Sequence, residues 1–127
     1  MGAVPLVSAG RVLLVDDHAG FRAVARRLLE SEGWNVVGEA ADGTSALAAA
    51  ARLRPDVVLL DIGLPDLDGF AVAERLARGG AADIVLISSR DRAAYADRIA
   101  SSAALGYIAK GDLDGDRLRA ILAGGAR

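Results

Sequence analysis

Val12-Leu13-Leu14-Val15-Asp16-Asp17 is the stretch that decides how this chain folds: four aliphatic residues in a row, ended by two acids. A run that is apolar at every position leaves no side for water, which is the mark of a strand covered on both faces. The same pattern recurs in Val57-Val58-Leu59-Leu60 and Ile84-Val85-Leu86-Ile87, and in shorter form in Trp34-Asn35-Val36-Val37 and Tyr107-Ile108. Segments of helical period lie between these runs. Phe21, Val24, Ala25, Leu28 and Leu29 share one helical face, as do Phe70, Ala73, Leu76 and Ala77, and Leu118, Ile121 and Leu122. Asp42-Gly43-Thr44 and Asp66-Leu67-Asp68-Gly69 supply turn and cap chemistry, Gly33 reads as a helix C-cap, and Pro55 closes a helix before the third strand. Five such alternations predict the α/β class: a doubly wound, five-stranded parallel sheet, (βα)5, in a three-layer sandwich with helices on both faces. The expected bounds are an N-terminal tail over 1–10, one domain over 11–123 and a C-terminal tail over 124–127.

Composition narrows the functional classes. The chain has 127 residues, enough for one domain and no more. It is 53% hydrophobic and 25% charged, a globular balance. Cysteine is absent, which removes disulfides, thiolate metal sites and cysteine catalysis. Aromatics are 4% against 27 alanines, so the core is aliphatic and base-stacking platforms are not expected. Fifteen basic and 17 acidic residues leave a formal charge of −2, the wrong sign for a general phosphate-backbone binder, and direct nucleic-acid binding is not expected. No apolar stretch approaches the ~20 residues that span a bilayer, and the first ten residues lack a basic region before their apolar ones. A cytoplasmic location without membrane contact is the expectation.

In open parallel sheets the ligand site lies outside the carboxyl ends of the strands. Four of the five ends here carry a polar group directly after the apolar run: Asp16 and Asp17, Asp61, Ser88 and Ser89, and Lys110. Taken singly, each has a plain explanation as a cap, a turn residue or a solvated charge. Together they put three carboxylates on one rim, where like charges repel and call for a cation. With no cysteine, and with the one histidine, His18, read as opening helix 1 at the rim, such a set suits a hard, oxygen-seeking ion such as Mg²⁺. A lysine and a hydroxyl opposite offer a point charge and a donor to phosphoryl oxygens, and the acid at the end of the central strand, Asp61, is the natural nucleophile. The chemistry this spells is phosphoryl transfer to an aspartate.

These pieces, in this order and at these intervals, resemble the response-regulator receiver domain of two-component signalling: the run ending in Asp16-Asp17, Leu-Leu-Asp61-Ile-Gly63-Leu-Pro65-Asp-Leu-Asp-Gly69, the hydroxyl Ser88, and Gly106-Tyr107-Ile-Ala-Lys110. The resemblance covers residues 11 to 123 and implies a flavodoxin-like fold. It implies that Asp61 is the phospho-acceptor. Asp17, Asp61 and the Gly63 carbonyl would ligate Mg²⁺, with Mn²⁺ as its substitute, and Asp16 would act through water. Lys110 would pair with the phosphoryl group, and Ser88 and Tyr107 would relay its arrival. Leu64 stands where the family commonly has Met, Ser89 where it prefers Ala or Gly, and Gly111 where a proline usually follows the lysine across a cis bond.

The implied activity is that of a signalling switch rather than an enzyme in the usual sense, one that catalyses its own phosphorylation and hydrolysis. Its implied donor is a sensor histidine kinase, a phosphotransfer protein or a small acyl or amido phosphate. Arg90, Asp91, Arg92, Tyr95 and Arg98 read either as a solvated helix or as a partner surface. The switching surface is expected over segment 4, strand 5 and helix 5, with an output partner at residues 90–110, and a homodimer is the alternative assembly. A Mg²⁺-dependent phosphatase of the haloacid-dehalogenase type wants a second Asp two residues after the nucleophile, where Gly63 stands. A pseudo-receiver that only binds partners fits poorly with the presence of Asp16, Asp17, Asp61, Ser88 and Lys110 together. The local wording is similar to receivers joined to a helix-turn-helix domain, but with Met1 at the start and the last helix close to Arg127, a stand-alone single-domain regulator is the expected form.

Overall fold

A computed structural model describes residues 10–80, 82–89 and 92–125. Five strands, β1 (Arg11–Val15), β2 (Asn35–Ala40), β3 (Val57–Asp61), β4 (Asp83–Ser88) and β5 (Gly106–Ala109), form one parallel sheet in the order β2-β1-β3-β4-β5. The chain therefore moves outward from β1 to β2, then returns past β1 to lay down β3, β4 and β5 on the other side. The reversal falls between β1 and β3, the switch point of the sheet.

Alternation along the strands divides the core in two. Val12, Leu14, Val57, Leu59, Val85, Ile87 and Ile108 face α1 (Ala19–Ser31) and α5 (Gly115–Gly125), packing with Ala25, Leu29 and Leu118. Leu13, Val15, Val58, Leu60, Ile84 and Leu86 face α2 (Gly43–Leu53), α3 (Gly69–Gly79) and α4 (Ala96–Ala100), packing with Ala46, Ala49, Val72, Leu76 and Ile99. Every residue of β3 is buried, as a central parallel strand requires. The three-layer doubly wound architecture is thus the one the apolar runs specify.

Local differences have local causes. Trp34 sits just before β2 rather than opening it, and its ring is buried against the α1/α5 side. β2 runs on to Ala40, and a bulge between Val12 and Leu13 shifts its register against β1. The segment expected as a fourth full helix is a 3₁₀ turn over Arg92–Tyr95 and a single five-residue piece, α4, in which Ile99 is the one buried residue. A stripe this thin cannot hold a longer helix to the sheet. Arg90 and Asp91 lie outside the described residues, as do residues 1–9 of the expected N-terminal tail. At the other end α5 continues to Gly125, two residues into the expected C-terminal tail. Arg26 reaches from α1 to β2 and donates from Nε to Glu39 at 2.9 Å.

The loop after β3 is fixed from both ends. A Cβ on Gly69 would stand 2.7 Å from Ile62 Cα, 2.7 Å from the Ile62 carbonyl oxygen and 2.8 Å from that of Asp61, so only glycine lets α3 start this close to the strand end. Asp66 reaches across to α2, accepting from the N–H of Gly43 at 2.7 Å and from Thr44 N–H and Oγ at 3.1 and 2.8 Å. It thereby adds a second acceptor to a helix start already capped by Asp42, whose Oδ1 takes the Ser45 N–H at 2.7 Å. α5 repeats this arrangement: Asp114 accepts from Arg117 N–H, and Glu32, 83 residues away, from Gly115 N–H, each at 2.7 Å.

Two outcomes follow from this loop. Gly69→Ala forces backbone against backbone and costs about 1–3 kcal/mol, measurable by urea unfolding. A neutral variant here would remove the close approach as a constraint. The Gly43 N–H, helped by Thr44, pulls the Asp66 carboxyl from 3.8 down to about 2, against a smaller opposing effect of desolvation. A pKa lowered by folding stabilises the fold above the unfolded value and loses that contribution as pH falls through the folded one. Asp66→Ala is therefore less stable than the parent at neutral pH, and the gap narrows as pH drops from 3.8 toward about 2. A gap unchanged over that range would mean that the carboxylate charge plays no part.

Candidate functional site

The site forms because parallel strands with matched register end together. Val15 pairs with Leu60 and Asp61 with Ile87, while Ser88 pairs with Ala109. Asp16, Asp61, Ser88 and Lys110 therefore leave their strands on one rim around the switch point. Asp16 is fully buried and Asp61 nearly so, while Asp17 and His18 are exposed.

Lys110 holds the centre. Its Nζ stands 2.5 Å from Asp16 Oδ2 and 3.5 Å from Asp61 Oδ2, with only 14% of the side chain exposed. The ammonium also lies 4.9 Å from the centroid of the Phe21 ring on α1, a cation–π contact on its open side. Asp16 Oδ1 accepts the His18 N–H at 2.8 Å, and Asp61 Oδ1 accepts the Gly63 N–H at 3.2 Å. Arg22 braces the acid turn, with its Nη1 donating to the Asp16 carbonyl oxygen and its Nε to Glu39 at 2.9 Å.

The Asp61 carboxyl is pushed up from its ordinary value of 3.8. Burial is the main cause, and the negative charges of Asp16 and Asp17 add to it, opposed by the Gly63 N–H and by Lys110. Three carboxylates against one ammonium leave a net of two negative charges (−3 + 1 = −2) on the rim with His18 neutral. One divalent cation carries that charge, and the donors are carboxylate oxygens of the kind that hard ions take. Single ligand atoms from Asp16, Asp17, His18 and Asp61 all lie within 4.8 Å of one another. These residues fit a divalent ion.

Ser88 is buried at the end of β4 and Tyr107 is half-buried on β5, paired with Leu86. Alternation puts both on the α2/α3/α4 face, where Tyr107 packs on the core below the rim. Asp61, beside Ile87, belongs to the α1/α5 face. The acids and lysine are therefore drawn together, and the hydroxyl and aromatic ring share the opposite face, Tyr107 on β5 one diagonal step below Ser88 at the end of β4. Among the described residues no peptide bond is cis, so Lys110–Gly111, whose isomer the sequence leaves open, is trans. Phe21 and Arg22 belong to this site although the sequence reading left one as core and the other unremarked. Their signal was present, since both fall within the first turn after the acid pair.

The family model of the response regulator receiver domain matches residues 12–123. The chain is 33% identical over 100 residues to the transcriptional regulatory protein PdtaR of Mycobacterium tuberculosis, covering 79% of this chain and 49% of that protein. It is 42% identical over 106 residues to the protein-glutamate methylesterase/protein-glutamine glutaminase 6 of Anaeromyxobacter dehalogenans, covering 83% of this chain and 30% of that one. Among solved structures, a two-component response regulator of the LuxR family from Aurantimonas superposes with a TM-score of 0.81 at 34% identity, over 94% of this chain and 86% of that one. The chain spans about half the length of the transcription regulators it matches. Receiver domains generally accept a phosphoryl group, bind Mg²⁺ at an acidic pocket and interact with histidine kinases or phosphotransfer proteins. With five parallel strands, an acid rim at the switch point and a lysine between its buried carboxylates, the chain belongs to the response regulator receiver family.

Proposed function

We propose that Asp61 is the phospho-acceptor of a two-component or phosphorelay pathway, supplied by a histidine kinase, a phosphotransfer protein or a small phosphodonor. The observation that carries this reading is the placement of Asp61 at the end of the central strand, facing Lys110 and held by the Gly63 N–H. An Asp61 oxygen attacks the donor phosphorus. The bond to the donor nitrogen or oxygen breaks, its electron pair leaves with the donor, and an aspartyl phosphate remains. Lys110 sits 3.5 Å from the attacking carboxylate, in reach of an oxygen of the incoming group. Asp17, Asp61 and the Gly63 carbonyl, with Asp16 through water, would hold a Mg²⁺ or Mn²⁺, which would supply positive charge to the transferring phosphoryl oxygens.

Output follows from the other face. A phosphoryl oxygen beyond β3 offers Ser88 a new hydrogen bond, and movement of the end of β4 changes the space against which Tyr107 packs. The surface that senses this lies within residues 90–110. Arg98 is already engaged there, donating to Asp68 at 2.5 Å and lying 4.2 Å from the Phe70 ring centroid. A partner at this surface therefore meets a side chain tied to the start of α3.

The direct test is intact mass after incubation with a small phosphodonor. One phosphoryl adduct is expected with Mg²⁺ or Mn²⁺, none in excess chelator, and none on Asp61→Asn. That variant keeps or gains thermal stability because one of three mutually repelling charges is gone. An adduct of equal yield in chelator sinks the metal requirement, and a stable adduct on Asp61→Asn sinks the choice of nucleophile. Amide exchange with a stable phosphoryl mimic tests the relay. Changes are expected in residues 88–110, and changes confined to α1 and α2 would falsify it.

A further inference from the structure

His18 is the rim residue that phosphoryl transfer leaves without a role. It is the only histidine, and the chain has no cysteine, so it is the one imidazole or thiolate donor available to a metal. The hydrogen bond from its own N–H to Asp16 Oδ1 bends the chain back and returns the ring over the acids. Nδ1 stands 3.2 Å from Asp16 Oδ1 and 3.1 Å from Asp17 Oδ1, while the side chain stays 70% exposed. Neighbouring ligands on an ion with bonds of ~2.1 Å lie about 3 Å apart. The imidazole nitrogen and the two carboxylate oxygens have that spacing. Lys110 occupies the other oxygen of Asp16, Oδ2, so ammonium and imidazole do not compete for one atom.

Resting on the reading that the rim holds a divalent ion, we propose that His18 is a further ligand which lets the rim take borderline transition ions, such as Ni²⁺ and Zn²⁺, in competition with Mg²⁺. The reason is donor chemistry. Mg²⁺ gains little from replacing water by an imidazole, whereas Ni²⁺ and Zn²⁺ bind neutral imidazole strongly. The exposed ring already stands beside the acids, so little reorganisation is needed. On an ion held by the imidazole nitrogen together with Asp16 and Asp17, that nitrogen would fill a coordination position otherwise open to a phosphoryl oxygen, which makes the rim a point of metal inhibition.

Titration of untagged protein with Mg²⁺ and, separately, with Ni²⁺ by isothermal calorimetry tests this, using the parent, His18→Ala and His18→Gln. Ni²⁺ affinity is expected to fall roughly tenfold or more in both variants, while Mg²⁺ affinity stays within about twofold. Ni²⁺ is paramagnetic, so it should also broaden the ring signals of this single histidine, and excess Mg²⁺ should restore them. Equal losses for both ions would mean that His18 acts through charge or fold. An unchanged Ni²⁺ affinity, or ring signals untouched by Ni²⁺, would mean that it is no ligand. Any of these results overturns the proposal. Failure of Mg²⁺ to bind the parent would instead overturn the reading of the rim on which it rests.

Discussion

The Lys110 ammonium between Asp16 and Asp61 is the contact on which the arrangement of this molecule turns. Two carboxylates buried at adjacent strand ends are costly without a counter-charge, and a single cation meets both only if β1, β3 and β5 end at one level. The parallel sheet achieves that. β3 and β4 stay in register up to Asp61 and Ile87, and β4 and β5 up to Ser88 and Ala109, which brings the next residue, Lys110, back over the switch point. Phe21 closes the open side of the ammonium, so α1 is part of the same constraint. The remaining negative charge is of the size that one divalent ion balances.

A second constraint separates the rim residues into two groups. Alternation assigns Asp61 and Lys110 to the face under α1 and α5, and Ser88 and Tyr107 to the face under α2, α3 and α4. The two sets meet at the carboxyl edge of the sheet, where Ser88 directly follows the residue paired with Asp61. The step between them is short because it runs over a strand end rather than through packed core. The face of Ser88 and Tyr107 is also the less firmly built one: α4 is a single short piece anchored by Ile99, with Arg98 bound to the start of α3. A loosely held element next to a buried hydroxyl is a suitable place for two arrangements of similar energy.

Much of this was legible in the sequence, for a physical reason. Strands buried on both faces have to be apolar at each position, so Val12-Leu13-Leu14-Val15 and its counterparts announce themselves, and a charge directly after such a run has nowhere to go but the rim. Contacts set by folding rather than by period were not legible. Asp66 reads as a cap for the helix that follows it and instead serves α2, and Glu32 serves α5 across 83 residues. Neither pairing has a local signature. The brevity of α4 was half visible in its thin apolar stripe, and the Arg22–Glu39–Arg26 cluster was hidden because its partners lie on different elements. His18 shows the limit most clearly: its position in the chain predicts a helix start, and only the turn made by its N–H brings its ring back over the acids.

Trp34 adds an optical consequence. It is the only tryptophan, buried before β2, with Gly10 and Gly115 leaving room for its ring and Arg119 of α5 lying 5.4 Å from the ring centroid. Its indole therefore looks out on the docked end of α5 and not on the acid rim. Its emission is a built-in gauge of whether the last helix is seated. A change in that emission on phosphorylation would have to be conveyed through α5, while a constant signal would leave the last helix a fixed floor beneath the switch.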